Sequence, residues 1–265
     1  ANEDIEFALY FDTSGTNPEY TTSLSADSDL LENEYSSALF DEDAGGLLDT
    51  FSFEGGDSIM SQTDSCCGNG AYTSSWSEVP MYTTGTLELL HEGPSLAVLE
   101  STGTVGGYDF TYTYWMFDGR PELWSKTYQV TSDTVTFNHP TDFTSGIRPW
   151  ESRQDNISGG ATFTTDSDYE WCDVSNGTDG VAFGYHQPPD LIVGLSNYDP
   201  YIIAVGSDYA PYGSGTTFVL PAGVEFLDHV VMFVLPHSGD YEDAETDIAG
   251  LMQGVSVDLE DPETQ

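Results

Sequence analysis

Positive charge is nearly missing from this sequence. Its 265 residues include only 4 Lys and Arg against 46 Asp and Glu, and the formal net charge is -42. A nucleic-acid partner is excluded, because binding a phosphate backbone depends on clustered cations that release condensed counterions. At ordinary ionic strength such a surface repels itself, whereas 1 M salt shortens the Debye length to about 3 Å. We therefore expect a halophilic protein with an acidic surface.

Long apolar runs are also missing. No apolar stretch reaches about 18 residues, the length at which a membrane-spanning helix becomes a candidate, so we predict no membrane span. The first residues, ANEDIEF, lack a basic and an apolar leader region, so either a signal peptide has been removed or the chain is a piece of a longer one. N-x-S/T sequons begin at Asn156 and Asn176. They predict glycosylation at both sites of an extracellular or cell-surface protein.

Cysteine is scarce and odd in number. Cys66 and Cys67 are adjacent, and Cys172 lies far along the chain. In an oxidising compartment we expect a disulfide between Cys172 and either Cys66 or Cys67, with buried, reduced cysteines as the alternative. Adjacent cysteines lack the spacing by which two thiolates reach one zinc ion, so we predict no metal site here.

Motifs of the common catalytic classes are absent as well. The sequence contains no G-x-S-x-G, no H-E-x-x-H and no P-loop, so serine hydrolases, zincins and NTPases lack their signatures. The acidic clusters Asp41–Gly46 and Asp166–Glu170 offer hard oxygen ligands of the kind that Ca²⁺ takes, but neither has EF-hand spacing. We predict no cofactor, with Ca²⁺ as the alternative to solvated acidic surface.

What the sequence does contain is apolar and aromatic alternation, strongest in residues 108–130. One face of the predicted strand is apolar, and it comprises Tyr108, Phe110, Tyr112, Tyr114 and Met116. Asp118-Gly119 then supplies a turn, and the returning strand puts Trp124, Lys126 and Tyr128 on one face, so the stretch predicts a β-hairpin. An aromatic face this apolar is typical of a core, with a sugar platform as the alternative.

Many further short strands are predicted, separated by Gly, Pro and Asp turns. Only Asp240–Met252 has the spacing and the flanking cap of a helix. No internal repeat or linker is evident, which favours a single β-sandwich domain over residues 1–265. The predicted fold class is all-β, a large antiparallel two-sheet sandwich with one short C-terminal helix.

Three segments carry a family resemblance. They read AGGLLDTFSFEGGDSIM from residue 44, HEGPSLAVLESTG from residue 91, and FVLPAGVEFLDHVVMFVLPHSGDYEDAETDIAGL from residue 218. In order and pattern they resemble the β-supersandwich of carbohydrate-related proteins, which includes galactose mutarotase-like domains and the β-domains of polysaccharide lyases. With its acidic composition, the chain is similar to a haloarchaeal member of such a family.

The resemblance implies candidate site residues. Mutarotase-like enzymes use a histidine as general acid and a late glutamate as general base, which suggests His139 and Glu225 as catalytic residues. Related lyases use a cation to neutralise a uronate carboxylate, which suggests Arg148 and Arg153, with Trp150 stacking on a sugar. These residues also have a structural alternative. In that alternative His139 ends a strand, Glu225 is a solvated surface carboxylate, and both arginines form ion pairs with nearby acids.

Three functions follow, and whether the protein is an enzyme is left open. The first is an exported module that interacts with a polysaccharide or another glycan and is noncatalytic by itself. The second is a structural subunit of an archaeal surface layer, filament or virion, which would assemble with itself or with other surface proteins through strand edges. The third is a carbohydrate-active enzyme of mutarotase or lyase type.

Overall fold

The computed structural model describes residues 21–53, 58–61, 80–137, 145–149, 162–165, 171–175, 178–185, 202–204, 218–239 and 241–252. Seventeen strands and one α-helix lie within these ranges. The first strands are β1 (Ser25–Asp27), β2 (Leu30–Glu32), β3 (Ser36–Asp41), β4 (Leu47–Phe53), β5 (Ser58–Ser61), β6 (Thr86–Glu92), β7 (Leu96–Val105), β8 (Tyr108–Phe117) and β9 (Leu123–Thr131). The others are β10 (Val135–Phe137), β11 (Ser145–Pro149), β12 (Thr162–Thr165), β13 (Trp171–Ser175), β14 (Asp179–Tyr185), β15 (Ile202–Ala204), β16 (Phe218–Leu220) and β17 (Glu225–Ser238), followed by helix α1 (Tyr241–Met252).

Two large sheets form the molecule. The first has the order β1-β2-β3-β4-β5-β11-β15, and the second has the order β12-β13-β14-β17-β9-β8-β7-β6. Strands β10 and β16 form a separate pair. Pairing is antiparallel except between β11 and β15, which are parallel. Among the described residues, the architecture is therefore an all-β sandwich with one short helix near its C-terminal end, which confirms the predicted fold class.

The hairpin of β8 and β9 lies at the centre of the second sheet. Burial alternates along both strands, because successive side chains of a strand point to opposite faces. The predicted apolar face is core: Tyr108, Tyr112 and Tyr114 are almost completely buried. The connection turns at Gly119, whose φ of 70° is easily adopted only without a Cβ.

The two sheets pack through this buried face. The rings of Phe40 on β3 and Tyr114 on β8 lie 4.4 Å apart between centroids. The Ser36 hydroxyl donates to the Pro121 carbonyl at 2.9 Å, and the Ser101 hydroxyl donates to the Gly45 carbonyl at 2.8 Å. The contacts join residues far apart in the chain, so the layering depends on tertiary packing.

Helix α1 packs on the other face of the second sheet. Ala244, Ile248 and Leu251 recur at helical spacing, are buried, and contact side chains of β14 and β17. Glu242 and Asp243 lie in the first turn, where carboxylates interact favourably with the positive end of the helix dipole. The helix was predicted from Asp240, and it begins at Tyr241.

Three strands were not predicted from the sequence, namely β1, β11 and β13. The acidic residues before β13 suggested a solvated surface, yet β13 pairs on both sides within the second sheet. No helix of the described residues is long and apolar enough to cross a membrane. The single-domain organisation remains a prediction.

Candidate functional site

Among the described residues, α1 covers only part of one face of the second sheet, and we call this face the outward face. Along β8 it comprises Asp109, Thr111, Thr113, Trp115 and Phe117, which alternate with the buried tyrosines. These five side chains are half-buried or exposed. A sheet face with tryptophan and polar groups side by side is a candidate binding surface.

Two tryptophans form the centre of this face. Trp115 on β8 lies directly opposite Trp124 on β9, and the two parallel rings have centroids 6.1 Å apart with an interplanar angle of 6°. The strand pairing places both side chains on the outward face, on adjacent strands. Both residues are half-buried. We call this pair the Trp platform.

A polar row runs beside the Trp platform, two residues along each strand. It consists of Glu100, Thr113 and Lys126, which are cross-strand neighbours on β7, β8 and β9. The Thr113 hydroxyl donates to Glu100 Oε2 at 3.4 Å. Lys126 is half-buried and is one of only 4 Lys and Arg residues in the chain. Hydrogen-bonding groups of both kinds and one cation therefore lie next to an aromatic surface.

Helix α1 closes one end of the aromatic row. Phe233 on β17 is the cross-strand neighbour of Trp124, and their rings meet edge to face with centroids 6.0 Å apart. Phe233 is fully buried together with Ile248 and Leu251 of α1. Trp124 and Met252 pack against the same cluster. The row is therefore covered from Phe233 onward, and the Trp platform borders the helix.

A buried ion pair lies beyond the platform on the same sheet. His237 Nε2 on β17 and Asp173 Oδ2 on β13 are 2.5 Å apart, and their side chains are 9% and 1% exposed. The contact passes over Gly180 of β14, where a Cβ would collide with the imidazole ring. His237 Nδ1 lies 3.3 Å from the Ser238 carbonyl oxygen. Both ring nitrogens thus face acceptors, and only the doubly protonated ring donates from both.

Electrostatics favour that charged imidazole. Burial of the His237 ring has the largest single influence on its pKa and lowers it. The hydrogen bond and negative charge of Asp173, the Ser238 carbonyl and the Asp243 charge act in the opposite direction and together outweigh burial, so the pKa is raised. The pair resembles a structural clamp more than a catalytic dyad, because neither ring nitrogen is left free for a substrate.

The buried tyrosines of β8 have a different environment. Burial, followed by the neighbouring Tyr108 and Tyr114, raises the pKa of Tyr112 well above its usual value, and burial alone raises the pKa of Tyr114. Gln129 Nε2 donates to the Tyr112 hydroxyl at 3.1 Å. These phenols stay neutral and belong to the core. Because they are buried, a sugar ring cannot stack on this face of the hairpin.

The predicted site residues are only partly placed. Glu225 is exposed at the start of β17 and accepts a hydrogen bond of 2.9 Å from the Tyr128 hydroxyl. Arg148 lies on β11 opposite Ser61, and Cys172 lies on β13 opposite Phe183 and Thr165. The other predicted residues lie outside the described ranges, namely His139, Trp150, Arg153, Asn156, Asn176, Cys66 and Cys67. Their catalytic, ligand-binding, glycosylation and disulfide roles remain predictions.

The Trp platform itself was not predicted as a site. Strand alternation predicts that Trp124, Lys126 and Tyr128 share one face, but the ligand contact was expected downstream, at Arg148 to Arg153. A two-residue turn at Asp118-Gly119 would place Trp115 opposite Glu122. The strand pairing is instead centred between Gly119 and Arg120, so the predicted turn did not signal the Trp115–Trp124 pair. Within the described ranges, no three His, Cys, Asp or Glu side chains are grouped closely enough to hold a metal ion.

Comparison with known proteins identifies no family. No protein-family profile matches the chain, and no curated protein matches its sequence. Among solved structures, the chain is similar to a TPR-domain containing protein from Parabacteroides distasonis, at 12% identity and a TM-score of 0.45, over 88% of this chain and 50% of that one. It is also similar to an alpha-mannosidase from Enterococcus faecalis, at 11% identity and a TM-score of 0.44, over 89% of this chain and 32% of that one.

A third similar structure is described as an aldose 1-epimerase from Klebsiella pneumoniae, at 11% identity and a TM-score of 0.40, over 84% of this chain and 83% of that one. The chain spans half or less of the length of the first two proteins. Likenesses at this level transfer neither an activity nor a ligand.

Proposed function

We propose that the protein is an exported, halophilic β-sandwich module that binds a polysaccharide or another glycan through the Trp platform and is noncatalytic by itself. The observation that carries the proposal is the parallel, half-buried pair of Trp115 and Trp124 beside a polar row. A sugar ring has one apolar C–H face and a rim of hydroxyl groups. The outward face offers a matching aromatic surface and matching hydrogen-bonding groups at adjacent positions.

The spacing supports this match. Trp124 and Lys126 are two residues apart on one strand, a separation of roughly 6.6 Å, which is comparable with the width of a pyranose ring. A ring stacked on the platform would therefore bring its hydroxyl rim to Lys126, Thr113 and Glu100. A few placed polar groups beside an apolar surface are what fixes the orientation of a small ligand.

The net charge of -42 and the two sequons support the setting of the proposal, outside a cell and in concentrated salt. In molar salt, long-range repulsion between the protein and an acidic glycan is screened within a few ångströms, about 3 Å at 1 M. Binding there depends on contacts at the platform and much less on the charge of the whole surface.

A glycan array probed in molar salt tests the proposal. The array should carry linear neutral and acidic oligosaccharides, and the full-length protein should bind at least one class. Trp115→Ala should weaken that binding about tenfold, equivalent to ~1.4 kcal/mol, because it removes half of the platform. Tyr82→Ala is the matched control, since Tyr82 is an exposed aromatic residue that lies outside the strands of the second sheet.

Two results would contradict the proposal. One is a clean absence of binding to every glycan on the array by the folded protein. The other is an equal affinity of Trp115→Ala and the unchanged protein for the glycans that bind. Thermal unfolding of both variants in the same salt shows that a loss of binding is not a loss of fold.

A further inference from the structure

We infer that the Trp platform binds the end of a glycan chain rather than an internal segment. The inference rests on the proposed function and concerns the length and direction of the surface that a glycan can occupy. Its basis is that the aromatic row is closed at one end by helix α1 and open at the other.

The row can be followed strand by strand across the second sheet. Starting at the edge strand β6, it passes through His91, Val98, Trp115 and Trp124, each the cross-strand neighbour of the one before. His91 is exposed, and the next three are half-buried. β6 is the last strand of the sheet, so within the described residues the sheet itself ends there.

The closed end lies one strand beyond Trp124. Phe233 occupies the next position of the row and is completely buried beneath Ala244, Ile248 and Leu251. Met252, the last residue of α1, packs against the same cluster as Trp124. A glycan that lies along the row therefore meets the helix directly after Trp124 and cannot continue across the sheet.

The open part of the row has a definite length. From β6 to β9 there are three strand spacings, roughly 14 Å in total, which accommodates about three pyranose rings. The terminal ring would stack at Trp124 against the helix, the next at Trp115, and the third would extend over Val98 toward His91. A glycan oriented parallel to the strands would instead leave the tryptophans and lie over the polar row.

The test measures affinity against chain length. Unlabelled cello-, manno-, galacto- and polyuronate oligosaccharides of one to six units are titrated into the full-length protein in molar salt by calorimetry. For the series that binds, the dissociation constant should fall up to about three units and then stay constant. The corresponding long polysaccharide should compete in proportion to the number of its chain ends.

Two variants test which part of the row each sugar unit contacts. His91→Ala, at the open end, should weaken the trisaccharide and longer chains about threefold and leave the mono- and disaccharide unchanged. Trp124→Phe, at the closed end, should weaken every length by a similar factor, and it keeps an aromatic ring against the helix cluster so that the fold is preserved.

The outcomes separate the inference from the proposed function. If the dissociation constant keeps falling through the hexasaccharide, or the polysaccharide competes in proportion to its repeat units, end recognition is wrong although glycan binding stands. If none of the four series binds, or Trp115→Ala binds them as tightly as the unchanged protein, the proposed function is overturned and end recognition with it.

Discussion

At the scale of single residues, the side chains that charge alone would place at the surface have specific partners. Glu122 is 2% exposed, and its carboxylate accepts from Arg120 Nε at 2.8 Å. Arg120 therefore neutralises a buried acid at the hairpin turn. His237 and Asp173 form the second such pair, with the pKa of the histidine raised.

The pH dependence of this pair can be predicted with its sign. A histidine whose pKa is higher in the folded than in the unfolded chain stabilises the fold while it is charged. The contribution of the charged His237 to the free energy of unfolding should be complete below about pH 6.5, the ordinary pKa of an imidazole. It should be lost as the pH rises through the raised pKa of His237 in the folded protein. A double-mutant cycle with Asp173→Asn and His237→Asn, measured by denaturant unfolding in molar salt, should show a coupling of about 1.5–3 kcal/mol at low pH that shrinks at alkaline pH. A coupling that stays constant from acid to alkaline pH would refute the charged clamp.

At the scale of elements, the helix and the central hairpin depend on different kinds of information. The hairpin was predicted from its alternation and its turn, and its buried face was correctly interpreted as core, because both signals are local in the sequence. The helix was also predicted, but its position on the outward face was not. That position depends on contacts with β14 and β17, which the periodicity of the helix does not specify.

The packing of the helix leads to a second prediction. Ile248→Ala should lower the free energy of unfolding by about 2–5 kcal/mol, because it removes a 2% exposed side chain from the cluster between α1 and the sheet. Glu245→Ala, on the exposed side of the same helix, should change it by less than about 0.5 kcal/mol. Denaturant unfolding in molar salt measures both, and equal effects of the two substitutions would mean that the helix does not pack as described.

At the scale of the whole molecule, the dominant feature is the excess of negative charge. A formal charge of -42 on 265 residues is repulsive wherever it is not screened. The described ion pairs involve Arg120 and His237, so they neutralise only a small part of it. We propose that salt screens most of the remaining repulsion.

The third prediction follows from this charge. The β-sheet circular dichroism signal should be lost as KCl falls from molar concentration to about 0.1 M, since the Debye length grows from about 3 Å to about 10 Å. Sucrose favours compact states without screening charge. Replacing KCl by sucrose therefore separates charge screening from the general stabilisation of compact states. If sucrose at low ionic strength preserves the fold as well as KCl does, screening is not the cause.

The sequence by itself determined the all-β class, the alternation that makes one face of the hairpin core, and the acidic surface, because each follows from residue types at short spacing. The tertiary structure decided which side chains meet. Trp115 and Trp124 become a platform through the register of β8 and β9, α1 closes its end through packing, and Asp173 reaches His237 across 64 residues of sequence. Contacts of that kind depend on which strands become neighbours in a sheet, and strand order is set by the packing of the whole sandwich rather than by any local pattern.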